Sequence, residues 1–235
     1  MLGFLVRPEG LEPPAYWFEA SRSIQLSYGR MASSYHPKEY RFIMAVETEI
    51  KLRLTRSAED TRALLEQHGF QATGPRQLET DQTFDLPTGE LRLSGRLLRL
   101  RSAGGRWTVT YKGPADASAR HKSREEIEVD VSDGAAFTQI LERLGYQPAF
   151  AYEKFRTTFK STTFGAQRED GIVTLDETPI GDFLELEGPG YWIDQAAVTL
   201  GFEPADYITS SYAALYEEHR RTHATVPRDM QFHRP

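Results

Sequence analysis

Charged side chains recur at every second position along several short runs of this chain. Glu47, Glu49 and Lys51 are set between Val46, Thr48, Ile50 and Leu52. Arg99 and Arg101 alternate with Leu98 and Leu100, and Thr108, Thr110 and Lys112 with Trp107, Val109 and Tyr111. Farther on, Arg124, Glu126 and Glu128 oppose Ile127 and Val129, and Lys154 and Arg156 flank Phe155. Asp176 follows Leu175, and Glu185 and Glu187 oppose Leu184 and Leu186. Alternate residues of a strand share a face, so each run would carry one charged face and one apolar face. Any single run reads as an ordinary solvated sheet face. The whole set reads differently, because like charges sit two apart on one face, Glu with Glu and Arg with Arg. A solvent face has no need of that repulsion, whereas a site for a polyanion and its cations does. Lys51, Arg99, Arg101, Lys112, Arg124, Lys154 and Arg156 could neutralise a triphosphate. Glu47, Glu49, Glu126, Glu128, Asp176, Glu185 and Glu187 could hold hard divalent cations through oxygen.

The elements that must carry these faces are short strands, expected at 45–54, 80–86, 91–102, 106–113, 122–131, 150–160, 171–177 and 182–188. Turn chemistry separates several of them, at Pro87-Thr88-Gly89, Ala103-Gly104-Gly105 and Asp170-Gly171. Helical patterns fall at about 57–68, 133–144, 192–200 and 205–220, the first with Ser57 and Asp60 as a capping pair. Three helices run into Gly-aromatic stops, Gly69-Phe70, Gly145-Tyr146 and Gly201-Phe202. Eight strands and a few amphipathic helices predict an α+β fold: an antiparallel barrel or strongly curved sheet with helices packed outside. Charged faces turned inward would leave the apolar faces outside, where those helices can cover them.

Length and composition bound the rest. A chain of 235 residues with 39% hydrophobic and 26% charged residues suits one globular domain and excludes wholesale disorder. A formal net charge of −6 gives no global attraction to nucleic acid or an anionic membrane, so a bound polyanion needs a local basic cluster. Without cysteine there is no disulfide, thiolate metal site or cysteine nucleophile, which fits the cytoplasm. No apolar stretch has the roughly 20 residues that span a bilayer. Residues 1–43 lack strand or helix periodicity and carry four prolines, Pro8, Pro13, Pro14 and Pro37. They are expected to be unstructured, with Met44 the natural start and 44–220 the functional domain. The tail at 221–235 is also expected to be disordered. The six histidines show no ligand spacing, and no phosphate-binding glycine loop or serine nucleophile elbow occurs.

In order along the chain, these runs resemble the signature blocks of the CYTH, or triphosphate tunnel metalloenzyme, family. Glu47-Thr48-Glu49-Ile50-Lys51 resembles its ExExK opening, and Leu98-Arg99-Leu100-Arg101 its LRxR strand. Thr110-Tyr111-Lys112-Gly113-Pro114, Arg124-Glu125-Glu126-Ile127-Glu128 and Lys154-Phe155-Arg156 match the next three blocks. Asp176 with Gly181-Asp182-Phe183-Leu184-Glu185-Leu186-Glu187 matches the last strands, and Ser211-Tyr212 with Leu215 the final helix. The resemblance spans about 44–220 and implies a closed eight-stranded tunnel. It implies Mg²⁺ or Mn²⁺ on Glu47, Glu49, Asp176, Glu185 and Glu187, supported by Glu126 and Glu128. Phosphates would be gripped by Lys51, Arg99, Arg101, Lys112, Lys154 and Arg156, helped by Arg124, with Lys51 and Lys112 also catalytic. Two departures stand out. The run Asp81-Gln82-Thr83-Phe84-Asp85 lacks the tyrosine many members carry there, and Leu97 replaces the tryptophan of vertebrate thiamine triphosphatases. The expected substrate is ATP, inorganic triphosphate or a similar small triphosphate, with no nucleic acid or membrane partner, and the resemblance allows a homodimer. Hydrolysis is the leading expectation, followed by a class IV adenylyl cyclase making cyclic AMP and pyrophosphate. A binding module without turnover is the remaining alternative.

Overall fold

The structure is a computed structural model that describes residues 45–116, 120–162, 171–223 and 225–233. Compactness divides the chain into Met1–Arg41 and Phe42–Pro235, and the first unit, with the expectation made for 1–43, lies outside the described residues. The strands are β1 (Ala45–Arg53), β2 (Phe70–Ala72), β3 (Gln77–Asp85), β4 (Leu97–Ala103), β5 (Arg106–Lys112), β6 (Lys122–Val131), β7 (Gln147–Ser161), β8 (Ile172–Thr178) and β9 (Gly181–Glu187). The helices are α1 (Ala58–Gln67), α2 (Glu90–Leu93), α3 (Gly134–Arg143), α4 (Gly190–Thr199) and α5 (Tyr212–Thr222).

Eight strands close on themselves in the order β1-β6-β5-β4-β3-β7-β8-β9 and back to β1, every pair antiparallel. Closure leaves no edge strand in the ring, and the first part of β7, ahead of its pairing with β8, lacks a strand neighbour on one side. The expected barrel is therefore the fold, with the short β2 added against the end of β7. Strict alternation puts the charged faces inside and the apolar faces outside. On one flank, Ile50, Leu52, Leu175, Leu184 and Leu186 are covered by Leu65 of α1 and by Trp192, Ile193 and Ala196 of α4. On the other, Leu100 and Val109 pack with Leu141 of α3. That helix begins close against the barrel, where a Cβ on Gly134 would lie 2.3 Å from Trp107.

Local chemistry sets the element ends. Ser57 Oγ accepts from the Asp60 amide at 3.1 Å and starts α1. The helix stops at Gly145 and Gly201 both have positive φ, and the next residues donate back, Tyr146 N to Leu141 O and Phe202 N to Ala197 O. The sequence expectation of one strand over 91–102 is corrected. Asp85 accepts from the amides of Leu86, Leu91 and Arg92 and folds Glu90–Leu93 into a helical turn before β4 begins at Leu97.

The expected disordered tail is also corrected. β8 joins β7 only from Phe155 onward, so the edge groups of Ala151 and Glu153 need other partners. Residues 229–230 supply them: Ala151 N donates to Asp229 Oδ1, Met230 N to Ala151 O, and Glu153 N to Met230 O. Met230 is wholly buried with Tyr152, Phe183, Tyr212, Leu215 and Tyr216. Ahead of α5, Ile208 exchanges both backbone hydrogen bonds with Lys51 of β1. Both flanks of α5 are thus stitched into the barrel wall, and the helix closes one end of the tunnel. Among the described residues no helix is long and apolar enough to cross a membrane.

Candidate active site

The barrel encloses a cavity of about 190 Å³ whose wall is almost entirely ionic. Strand parity brings together residues scattered from 47 to 187: Glu47, Glu49 and Lys51 from β1, Arg99 and Arg101 from β4, and Lys112 from β5. Arg124, Glu126 and Glu128 come from β6, Lys154 and Arg156 from β7, and Glu185 and Glu187 from β9. Asp176 of β8 is the one residue of the expected set that does not line the cavity. It is wholly buried behind the wall, where Arg156 binds both its oxygens at 2.6 Å. Lys154 donates to Asp176 Oδ2 at 2.8 Å, and the Tyr212 hydroxyl donates to the same oxygen at 2.8 Å. With its lone pairs engaged in this way, Asp176 acts in this structure as a hub for bases rather than as an open ligand.

One arc of the wall is crowded with bases. Arg101 lies 2.8 Å from Asp81 and 3.1 Å from Glu79, and Arg99 3.4 Å from Asp81. Lys154 reaches Glu79 at 3.5 Å, and Arg156 also pairs with Glu185. Burial alone would raise the Glu79, Asp81 and Glu185 carboxyls, but the adjoining lysine and arginine charges win and hold all three below the usual range. The opposite arc is crowded with acids. Burial and the hydrogen bond to Glu47 push Glu126 up to about 8, while Glu47 is held down, so the pair holds one proton between them. Burial, with the charges of Glu47, Glu185 and Glu49 nearby, raises Glu187 to about 7. Glu49 goes the other way: burial is outweighed by Lys51, Lys122 and Lys112, and it stays well below the carboxylate range.

Sequence reasoning missed several groups of this wall. Lys122, the first residue of the strand expected at 122–131, was not among the candidate site residues, yet it is buried and donates to Glu49 at 2.7 Å. Its parity with Arg124 and Glu126 was the available signal. Glu79 and Asp81 share the inner face of β3, but the expected strand began after Glu79. Tyr212 comes from α5, where no strand periodicity could announce it. Ser211 and Tyr212 line the closed end of the cavity. Burial and the charges of Asp176 and Glu185 keep the Tyr212 phenol protonated, with its pKa well above the ordinary value.

The wall suits anions and hard cations together. Among the described residues Arg124 Nε is buried without a hydrogen-bond partner, and its guanidinium stands 3.9 to 4.0 Å from Glu49 and Glu47. That is an unsatisfied buried donor on a cavity-lining side chain, with no carboxylate bonded to it. Burial, with neighbouring carboxyls, raises Glu187 and Glu126, and an oxygen-only donor set matches Mg²⁺ or Mn²⁺. Among the described residues no three acidic or histidine side chains converge as a ready cage. Lysines are interposed: Lys112 pairs with Glu47 and Glu126, and Lys51 with Glu49 and Glu185.

A CYTH domain profile matches residues 45–195, more than half of the chain. The chain belongs to the CYTH domain family. A Methanocaldococcus jannaschii protein, provisionally named an adenylate cyclase, is 32% identical over 146 residues, covering 60% of this chain and 76% of that protein. Among solved structures, the PH1012 protein of Pyrococcus horikoshii superposes with a TM-score of 0.58 at 26% identity, covering 71% of this chain and 96% of that one. A Vibrio parahaemolyticus protein, provisionally named an adenylate cyclase, superposes at 0.62 with 20% identity, over 74% of this chain and 99% of that one. A Hippeastrum protein described as having a dominant triphosphatase activity superposes at 0.54 with 18% identity, over 74% and 96%. These last two likenesses concern the fold alone. The CYTH barrel thus has its charged lining contributed by β1, β4, β5, β6, β7 and β9, with Ser211 and Tyr212 added from the start of α5.

Proposed function

We propose that this CYTH protein is a metal-dependent triphosphatase that hydrolyses inorganic or organic triphosphate inside the tunnel. The observation that carries this reading is the lining. Apart from Leu97 and Tyr212 at the closed end, every described residue facing the cavity is ionic or a serine. Such a wall can grip phosphates, and among the described residues its one aromatic lining group, the Tyr212 ring, is already engaged by the Lys51 and Lys154 ammoniums. Lys51, Arg99, Arg101, Lys112, Lys122, Arg124, Lys154 and Arg156 supply positive charge. Glu47, Glu49, Glu79, Asp81, Glu126, Glu128, Asp176, Glu185 and Glu187 nearly cancel it. A highly charged anion entering a nearly neutral wall needs accompanying cations, which is the physical reason for a metal requirement.

Glu47, Glu49, Glu185 and Glu187 would hold Mg²⁺ or Mn²⁺, with Glu126 and Glu128 supporting them; the ion supplies Lewis-acid polarisation of phosphoryl oxygens. Arginines take bidentate positions on the phosphates and lysines act as point charges. Water attacks the terminal phosphorus as a new P–O bond forms and the bridging P–O bond breaks, and the water's protons pass to the released orthophosphate and to solvent. Lys51 and Lys112 offset the charge that develops on the departing diphosphate. The alternative of an adenylyl cyclase is favoured by the name of the M. jannaschii relative. It needs the same grip but an attack by the substrate's 3′-hydroxyl on the α-phosphorus. Product analysis with inorganic triphosphate and with ATP, each with Mg²⁺ or Mn²⁺, tests the reading. Orthophosphate release supports hydrolysis. Cyclic AMP with pyrophosphate overturns it in favour of the cyclase, and tight binding with no product leaves a binding module.

A further inference from the structure

We propose that Tyr212 is a positioning residue for the phosphate grip, its hydroxyl steadying Asp176 and its ring steadying the Lys51 and Lys154 ammoniums. The inference rests on the triphosphate reading above and adds to it a residue from outside the barrel strands.

The geometry is specific. The Tyr212 hydroxyl donates to Asp176 Oδ2 at 2.8 Å, the oxygen that also accepts from Lys154. The ring centroid lies 5.2 Å from Lys51 Nζ and 5.1 Å from Lys154 Nζ, within range of a cation–π contact for each. Both lysines are buried, and both face the cavity. A carboxylate that holds a lysine also competes with phosphate for it, since the two are like-charged acceptors of the same protons. An aromatic face has no such conflict: it attracts the ammonium yet brings no full negative charge to repel a polyanion. The hydroxyl works in the same direction. By occupying a lone pair of Asp176, it weakens that carboxylate's pull on Lys154 and Arg156 and leaves both free to turn toward a ligand.

The side chain can hold this position because its helix cannot drift. Ile208 ties the chain to β1 four residues before Tyr212, and Met230 ties it to β7 beyond the helix. The ring packs edge-on against Phe183 at 5.5 Å and beside Tyr152 at 6.2 Å. The helix itself begins one residue earlier, where Ser211 Oγ accepts from the Ala214 amide. The first turn of α5 is therefore a fixed floor, and Tyr212 is the side chain it offers to the bases.

Two variants separate hydroxyl from ring. The measurements are Kd for a non-hydrolysable triphosphate, KM and kcat for the substrate identified by product analysis, and the melting temperature. Because the bases contact phosphate in ground and transition states alike, the losses should fall on Kd and KM more than on kcat. Tyr212→Phe should weaken binding by about threefold, and Tyr212→Leu, which also removes the ring, by roughly tenfold or more. A purely structural role predicts lower melting temperatures with wild-type Kd and KM at 25 °C, and that result overturns the proposal. So does a Tyr212→Leu variant that binds as tightly as the wild type. Arg99→Ala serves as the control for the underlying reading. If Arg99→Ala binds triphosphate normally, the phosphate tunnel itself falls; if it loses affinity while both Tyr212 variants keep theirs, only the role of Tyr212 falls.

Discussion

Along β4 and β7 the bases Arg99, Arg101, Lys154 and Arg156 each stand within 3.5 Å of a carboxylate, whereas along β1, β6 and β9 carboxyl groups press on one another. Both arcs are buried and built from the same alternating pattern, but their electrostatic state differs. In the basic arc, Asp81 and Asp176 are interior counterions, and pairing pushes Arg101 and Arg156 up and Asp81 down. In the acidic arc Glu126 and Glu187 are pushed up toward neutrality and Lys122, chiefly by burial, is pushed down. The first arc has settled its charge within the protein. The second keeps two carboxyls that burial and neighbouring acids push toward neutrality, which is where the proposed divalent cation would act.

The comparison is broken most forcefully at Asp81. Replacing Asp81 by Ala strips two buried guanidiniums of their shared partner, and the cost should be about 3 to 5 kcal/mol of folding stability. Denaturant melts of the purified variant measure it, and a loss below 1 kcal/mol would mean that solvent, not Asp81, balances Arg99 and Arg101. In the acidic arc, Glu49→Gln and Glu187→Gln keep shape and remove charge. Each should lower turnover by about a hundredfold or more, as expected for lost cation ligands. Glu187→Gln should leave the melting temperature little changed, whereas Glu49→Gln, which strips Lys51 and Lys122 of a buried partner, should lower it. Near-wild-type rates at limiting Mg²⁺ would remove these carboxylates from the metal site.

A smaller effect sharpens the basic side. Arg99→Ala and Arg101→Ala should each weaken triphosphate binding by roughly tenfold or more, with less effect on diphosphate. The double variant should lose less than the product of the two, because both arginines hold one ligand. Isothermal titration at fixed salt and Mg²⁺ reads both numbers, and strict additivity would mean that they serve separate groups.

The smallest effect is a slope with pH. The folded protein holds the protons of Glu126 (about 8) and Glu187 (about 7) more tightly than an unfolded chain, where both would titrate near 4.5. Their stabilising contribution is fully present below about 4.5 and is lost as pH rises through 7 to 8. Glu49, Glu79, Asp81 and Glu185 act oppositely: their contribution is present above the unfolded values and lost in acid. Metal-free protein should therefore melt progressively lower between pH 6 and 9. Glu126→Gln, which mimics the protonated form, should flatten that slope, and an unchanged slope would place the proton elsewhere.

Most of the barrel was legible in the sequence because its signal is local. Alternation within Glu47–Leu52 or Leu98–Arg101 is a property of a few consecutive residues, and it assigned a face to every charge in those runs. The Gly145 and Gly201 stops were legible for the same reason, since a helix end is settled within one turn. Lys122 was within reach of the same parity, two residues before Arg124 on the strand expected at 122–131. Where the readings went wrong, a distant partner decided the outcome. The Asp85 carboxylate, not the propensity of Glu90–Leu93, made a helical turn, and the tail around Met230 orders because β7 offers it an unpaired edge.

By itself, then, the sequence determined which side chains share a face, and from the paired charges it determined the chemistry those faces can do. It could not say which face closes on which. Ring closure, through the pairing of β7 with β8 and of β1 with β9, puts Asp176 behind Arg156 and sets Glu187 among Glu47, Glu49 and Glu185. Proton affinities depend on such distances, and residues far apart in the chain acquire them only when the barrel shuts. The floor is the clearest case. Tyr212 carries no periodic signal, and only the docking of α5, stitched at Ile208 and Met230, brings its hydroxyl to Asp176. Strand parity is written residue by residue, but a contact between a helix and the inside of a barrel exists only in three dimensions.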